Sequence, residues 1–293
     1  VNRRAKLQEK AMTPEQAFTG GTAVITGAGS GIGEGLARVA ARHGMNVVLA
    51  DIAQERVERV AAEIAATGAQ ALAVVTDVTD IAALERLADA AWDRFGGVRL
   101  AINNAGIETI GYSWELPDAT WDKAIDINIR GVVHGSRIFA RRMLEAGQAG
   151  YIANVASIGS LGMMPTQAPY MMSKHAVLSF TECLFLEMQV RNAPIQVSAV
   201  LPAQVATRIF EDAPADLGSP MVSRQREMMH AMITQMGITP EQAGEIILAG
   251  IASGEFWVST HPETTAAMAA ARGAHLAALS PPTLPEEVRA LVE

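Results

Sequence analysis

Residues 168–177, APYMMSKHAV, set Tyr170 four positions before Lys174 in an otherwise apolar, helix-prone segment. That spacing makes a phenol and an ammonium neighbours on one helix face. A lone Y-x-x-x-K also reads as an exposed helix pair, so the rest of the chain must decide. The second candidate is TGAGSGIG, residues 26–33, which follows a β-rich apolar run and opens a helical pattern. Its glycines permit positive φ and let backbone approach a ligand without an intervening Cβ. Amides and a helix dipole at such a junction suit a pyrophosphate. The spacing Gly27-x-x-x-Gly31-x-Gly33 departs from the common G-x-G-x-x-G fingerprint, and tight strand–helix packing is the competing explanation. Asp51 sharpens the reading: it ends the next strand, NVVLAD, about twenty residues past Gly31, where an acid can bind the adenosine ribose hydroxyls. An acid there repels a 2′-phosphate, and neither Ser30 nor Ile52 offers a compensating charge, so NAD is favoured over NADP.

These residues need elements to hold them. Thr22–Thr26 reads as a strand, and the helix after it (Ile32, Leu36, Val39, Ala40) stops at Gly44. NVVLAD, a helix over 53–66, QALAVVTDV, a helix over 80–95, VRLAINNAG and a helical stretch over 120–145 follow. GYIANVAS, a helix over 169–191 and IQVSAVLP complete the series. The strands are continuous apolar runs, as in a parallel sheet covered on both faces. The fold class is therefore α/β, a doubly wound parallel sheet in three layers and a single domain. Residues 203–238 are irregular to helical and rich in methionine. TPEQA at 239–243 opens a helix with Thr239 as N-cap, Pro240 first and Gln242 closing a capping box. The same TPEQA at 13–17 is read as a second helix start, not a duplication. EFWVS is a last strand, and the Ala-rich tail is helical to about Leu279, before SPPTLP.

The composition narrows the function. With 49% apolar and 18% charged residues, 293 residues describe a globular protein with a sizeable core. A net charge of −8 disfavours a nucleic-acid partner. No apolar run of about 18 residues spans a bilayer, so no membrane partner is expected. The single Cys183 makes no internal disulfide, leaves a cytoplasmic location as the default, and reads as a small core residue. Six scattered histidines suggest no metal site. Residues 1–12 are basic but lack the apolar centre of a secretory signal, so a short frayed arm is expected.

TGAGSGIG, NNAG at 103–106, Asn128, Ser157 and YMMSK, taken in this order, resemble the short-chain dehydrogenase/reductase family, its compact TGxxxGxG/YxxxK branch. The likeness runs from about Thr22 to Thr207, more weakly to Val258, and implies a Rossmann-type fold. It also implies that Tyr170 is the general acid/base and that Lys174 lowers its pKa while holding the nicotinamide ribose. A free phenol titrates near pH 10, too basic to take a proton efficiently at neutrality. The ammonium and the positive ring of the oxidised cofactor favour the phenolate. Ser157 would hydrogen-bond the reacting oxygen, and Asn128 would bind a water that links Lys174 to solvent.

The same resemblance brings Gly27, Ser30, Gly31, Ile32, Gly33, Asp51 and Ile52 to the dinucleotide, with Asp77 and Val78 flanking its adenine. Asn104, Ala105 and Gly106 would support the central strand and line the ribose. Pro202, Val205 and Thr207, in LPAQVAT, would meet the carboxamide beside Tyr170 and Lys174. Ala203 stands where the family's usual glycine would be, and is strained if that position needs positive φ.

Around the nicotinamide, family geometry brings Ile110, Tyr112, Trp114, Leu161, Met163, Met164, Ile209 and Phe210. Such lining suits a bulky apolar substrate, steroid-like or aryl, and is equally open to reading as core or subunit interface. The expectation is an NAD-dependent oxidoreductase interconverting a secondary alcohol and a ketone, in a homo-oligomer, tetramer or dimer. An epimerase or dehydratase would show T-G-x-x-G-x-x-G and a large sugar-nucleotide domain, both absent; a non-catalytic NAD sensor usually loses the tyrosine or lysine. The expected division is a flexible arm over 1–18, a catalytic domain over 19–260 with a substrate-loop insert at 203–238, and a helical extension over 261–293. That extension would cover the pocket or grip a neighbouring subunit.

Overall fold

In the computed structural model, residues 12–213, 219–284 and 288–289 are described. Seven parallel strands lie in the order β3-β2-β1-β4-β5-β6-β7: β1 Thr22–Thr26, β2 Asn46–Asp51, β3 Ala71–Val75, β4 Leu100–Asn103, β5 Gly150–Val155, β6 Ile195–Leu201 and β7 Trp257–Ser259. Their order reverses between β1 and β4, which opens a crevice at the carboxyl ends of those two strands. The central strands β1, β4 and β5 are wholly buried, whereas β3, at the edge, is half-exposed.

Helices cover both faces. α2 (Gly31–Arg42) and α3 (Gln54–Ala65) lie on one side with α9 (Pro240–Ala252), in a core built on Leu36, Val39, Leu49 and Ile247. On the other side α4 (Ile81–Phe95), α6 (Val132–Glu145) and α7 (Ala168–Val190) enclose Leu84, Leu87, Phe139 and Ile152. The stretch expected as one helix over 120–145 is two, α5 (Asp118–Ile125) and α6, joined by a π-turn at Asp126–Gly131 that carries Asn128. Such wide turns are frequent at functional sites.

Both TPEQA segments start helices through the same capping box, Thr13 with Gln16 in α1 (Pro14–Phe18) and Thr239 with Gln242 in α9. Residues 13–18, expected within a flexible arm, are therefore ordered. Phe18 is 1% exposed and meets the Tyr151 ring edge-on at 5.2 Å, and that burial holds α1 down. Residues 1–11 of the expected arm lie outside the described residues. Cys183 also differs from expectation: it is exposed, because α7 is apolar beyond the face it buries.

A buried polar ladder ties the layers together. Asn103 Nδ2 donates to Ser136 Oγ (3.0 Å) and Asn154 Oδ1 (2.8 Å), and Asn154 Nδ2 donates to Thr181 Oγ1 (3.1 Å). It links β4, α6, β5 and α7 where an unpaired amide would cost about 1–3 kcal/mol. The 203–238 insert closes at its base through a Val205–Ile238 bridge and carries α8 (Pro220–Met236). α10 (Pro262–Ala277) buries none of its own residues and lies over the loop after β5, with Arg272 Nη1 3.3 Å from Met163 Sδ.

The tightest helix contact is α2 on α9. A Cβ at Gly35 would collide with the Pro240 carbonyl, and one at Gly244 would lie 2.9 Å from Val39 Cγ2. Gly35→Ala is expected to lower stability by about 1–3 kcal/mol through overpacking. A urea midpoint equal to that of the wild type would show that this contact yields.

Candidate active site

The crevice is built first by β1 and the loop after it. Gly27 has φ +66°, and a Cβ there would lie 2.9 Å from Ala105 Cα, so only glycine lets the loop pass the β4 terminus. Asn104 staples the two together: its backbone N–H donates to Thr26 Oγ1 (2.9 Å) and its Nδ2 to the Thr26 carbonyl (2.9 Å). Ser30 begins α2 without a side-chain capping bond. The first-turn amides of Gly31, Ile32 and Gly33 are thus left without a side-chain cap.

Asp51 stands beside this loop. Its carboxylate accepts from Gly29 N (2.9 Å) and Ala53 N (2.9 Å), which fixes both oxygens at the tip of β2. Ile52 is 68% exposed next to it. Asp77 Oδ1 accepts from the amide and hydroxyl of Thr79, and Val78 is buried against Gly131. At the other rim, Thr207 Cγ2 would lie 3.2 Å from a Cβ at Gly31, Val205 is buried, and the Pro202 carbonyl accepts from Ile158 N. Ala203 does not take positive φ, so no strain arises; its amide donates to Thr260 Oγ1 (3.0 Å). Positive-φ glycines, an uncapped helix start and a fixed acid at the next strand tip fit a dinucleotide.

Tyr170, Lys174, Ser157 and Asn128 come together at the carboxyl edge of β4 and β5. Ser157 is extended, accepts from Gly159 N (3.0 Å), and lies beside the Tyr170 hydroxyl. Lys174 Nζ donates to the Val155 carbonyl (2.9 Å) and stands 5.6 Å from the Tyr170 ring centre. Asn128 exchanges two hydrogen bonds with the Ile107 backbone, 2.8 and 2.9 Å, and donates to Ser173 Oγ (3.0 Å). A Cβ at Gly106 would lie 3.3 Å from Asn128 Oδ1 and 3.4 Å from Lys174 Nζ, so one small space adjoins both.

Burial sets the electrostatics here. It brings Lys174 down to about 8, against the pull of Glu108. It also holds the Tyr170 phenol well above its ordinary value; the Glu108 carboxyl adds to this, and the Ser157 hydroxyl opposes it. The neighbouring ammonium therefore does not by itself make the phenol acidic. Glu108 is 2% exposed, and burial pushes its carboxyl up to about 8 against the Thr109 amide, Gln167 and Lys174.

A family model described as short chain dehydrogenase matches residues 21–218. The chain belongs to the short-chain dehydrogenase/reductase family. It is 36% identical over 199 residues to 1-deoxy-11-beta-hydroxypentalenate dehydrogenase of Streptomyces exfoliatus, covering 67% of this chain and 72% of that protein. Its likeness to "Probable oxidoreductase EphD" of Mycobacterium tuberculosis is 35% over 206 residues, 70% of this chain but 34% of the relative. The chain thus spans about a third of the length of those mycobacterial relatives. A short-chain dehydrogenase/reductase from Burkholderia phymatum, solved in complex with NAD, superimposes with TM-score 0.87 at 33% identity, over 92% of this chain and 98% of that one.

The expected substrate-side residues divide. Ile110, Ile209 and Phe210 join Tyr112, Val222, Met229 and Ile233 in one apolar cluster under α8. Leu161 packs on Val132, Ala156, Val177 and Leu201. Met163 touches α10, and Met164 supplies a carbonyl to Gln167 N. Trp114 is 79% exposed and stacks on Tyr112 at 5.1 Å. Sequence reading missed Glu108 and Gln167 beside the tyrosine, and Arg56, whose Nη1 pairs with Asp212 (3.4 Å) across the crevice from α3 to the insert. The acid in NNAGIET was the available signal for the first of these; nothing in one sequence pairs Arg56 with Asp212.

Glu108 keeps its proton in the folded chain at pH values where the unfolded chain has lost it. Folding thus takes up a proton between about pH 4.5 and 8, and stability falls as pH rises through that window. Glu108→Gln removes this penalty, on the order of 3–5 kcal/mol at the alkaline end. Denaturation at pH 5 and pH 8 is expected to show a larger gain for the variant at pH 8; equal gains would mean that Glu108 titrates normally.

Proposed function

We propose that this chain is an NAD-dependent dehydrogenase that interconverts a secondary alcohol and a ketone. The observation that carries the reading is the convergence of Tyr170, Ser157 and Lys174 at the crevice of the glycine loop. Held by the glycine loop and Asp51, NAD would supply the acceptor for the hydride of the carbinol carbon. Tyr170 takes the hydroxyl proton at its phenolic oxygen, and Ser157 donates a hydrogen bond to the oxygen as charge develops on it. Burial raises the cost of the phenolate, so its formation needs positive charge brought next to it on binding, in addition to Lys174. Asn128 holds the 107 backbone beside Lys174 and keeps open the small space through which the ammonium can exchange a proton.

The preference for NAD rests on Asp51, whose oxygens are fixed by two amides and cannot turn away from a 2′-phosphate. Arg56 is the nearby cation that could favour NADP, but its guanidinium is engaged by Asp212. The partly buried Tyr112, Ile209 and Met229, packed on the Ile110–Phe210 cluster under α8, favour a substrate with a bulky apolar body, steroid-like or aryl. The exposed apolar side chains of α7, Met172, Leu186 and Val190, support a homo-oligomer, dimer or tetramer. Within the extension, α10 would act as cover for the loop after β5; residues 285–287 and 290–293 lie outside the described residues.

Absorbance of reduced nicotinamide, with NAD and a panel of lipophilic secondary alcohols, tests the activity directly. Tyr170→Phe is expected to lower kcat/KM about 10³-fold while NAD binding by calorimetry persists; turnover at the wild-type rate would remove Tyr170 from the chemistry. Asp51→Asn is expected to shift the NAD-to-NADP ratio of kcat/KM at least about tenfold toward NADP, which corresponds to about 1.4 kcal/mol. An unchanged ratio would mean that the acid does not select the cofactor.

A further inference from the structure

Beside Tyr170 lies a group of buried polar side chains that the proton and hydride chemistry leaves unused. Gln167 is fully buried, and neither Nε2 nor Oε1 reaches a hydrogen bond of normal geometry among the described residues, although its amide faces the Glu108 carboxyl. It is the N-cap of α7 and precedes Tyr170 by three residues, so the two share a helix face. The Glu108 carboxyl accepts from Thr109 N (3.0 Å), and Thr109 Oγ1 is buried with no hydrogen-bond partner among the described residues. An acid that only filled space here would be replaced at lower cost by an apolar side chain.

The backbone around this group is held at some expense. Thr166, just before Gln167, has φ +64°, a conformation that a β-branched residue adopts rarely. It is kept there by its hydroxyl bond to Gln225 Oε1 (2.8 Å) and by its carbonyl, which accepts from Gly111 N (2.8 Å). Strain kept by surrounding bonds next to a reacting group is a mark of a site. On the other side, residues 104–107 are pinned to Thr26 and Asn128, which fixes where Glu108 starts.

We propose that Glu108 and Gln167 form a polar subsite that hydrogen-bonds a second oxygen of the substrate, next to the carbon whose hydroxyl Tyr170 serves. The inference rests on the dehydrogenase reading above and narrows it: the preferred substrates are vicinal diols or α-hydroxyketones with an apolar body, not simple alcohols. At neutral pH the Glu108 carboxyl holds its proton, so it can donate to a carbonyl or accept from a hydroxyl, and the Gln167 amide does both. A substrate lacking the second oxygen leaves the buried Gln167 amide without a full set of partners, which is how a polar pocket rejects a deoxy analogue.

The test compares an aryl vicinal diol with the secondary alcohol that lacks only the second hydroxyl, each with NAD, in the full chain. The wild type is expected to favour the diol at least about 30-fold in kcat/KM. Glu108→Leu and Gln167→Leu should each bring that ratio below about 3, chiefly by raising KM for the diol. Glu108→Gln, which keeps a donor and an acceptor, should retain part of it. Should Glu108→Leu fail to fold, the Gln167→Leu and Glu108→Gln ratios decide. A wild-type ratio near one, or a ratio untouched by these variants, overturns the subsite. Reduced nicotinamide from neither alcohol, nor from any other in the panel, would instead overturn the dehydrogenase reading itself.

Discussion

The site depends on an ammonium kept inside the protein. Lys174 is 4% exposed and its Nζ donates to the Val155 carbonyl at the end of β5. Removing a charge from water costs several kcal/mol unless hydrogen bonds and countercharge replace the hydration. That acceptor exists because β5 ends where α7 crosses it, and the register of β5 with β4 and β6 decides which carbonyl is exposed there. Shifting either strand by one residue would turn alternate side chains to the wrong face and move the acceptor. The buried ladder from Asn103 through Asn154 to Thr181 guards against such a slip, since all its members find partners only in this register.

The same burial that makes Lys174 a useful cation works against Tyr170. In a medium that penalises charge, the phenol keeps its proton, and a carboxyl nearby strengthens that tendency. The three ionisable groups therefore form one electrostatic unit: a positive charge entering the crevice would lower both the phenol and the carboxyl, and change the cost of the ammonium. The glycine-lined crevice opens at the end of β1, between Asp51 on one rim and Thr207 on the other.

Most of the framework was legible in the chain. Continuous apolar runs alternating with amphipathic helices point to a parallel sheet covered on both faces, and the two TPEQA boxes announce helix starts through a local bond that needs no tertiary context. Other features depend on contacts distant in sequence. The π-turn at 126–131 arises where Asn128 must reach the Ile107 backbone, 21 residues away, and no periodicity records that. Phe18 reads as the end of a loose arm until Tyr151 is brought beside it. Cys183 reads as interior because α7 is apolar on more than one face; only the packed helix reveals which face is covered. Ala203 looks strained in sequence because a glycine was expected, yet its φ is ordinary.

The substrate side was the least legible part, and polar bonds explain why. Its three segments, the loop after β4, the loop before α7 and the insert, are joined through Gly111 to Thr166, Thr166 to Gln225, and Gln225 Nε2 to the Pro165 carbonyl. Each bond links residues dozens of positions apart, and none has a motif. Of the methionines in the insert, Met229 packs against the Ile110–Phe210 cluster while Met236 is exposed, and a flexible thioether adapts to a wall that other groups fix. The frame converges on residues 165–167, immediately before the helix that carries Tyr170. The insert is therefore tied to the start of that helix by hydrogen bonds as well as by the apolar cluster around Ile110 and Phe210, so its placement and that of the phenol rest on a shared set of contacts.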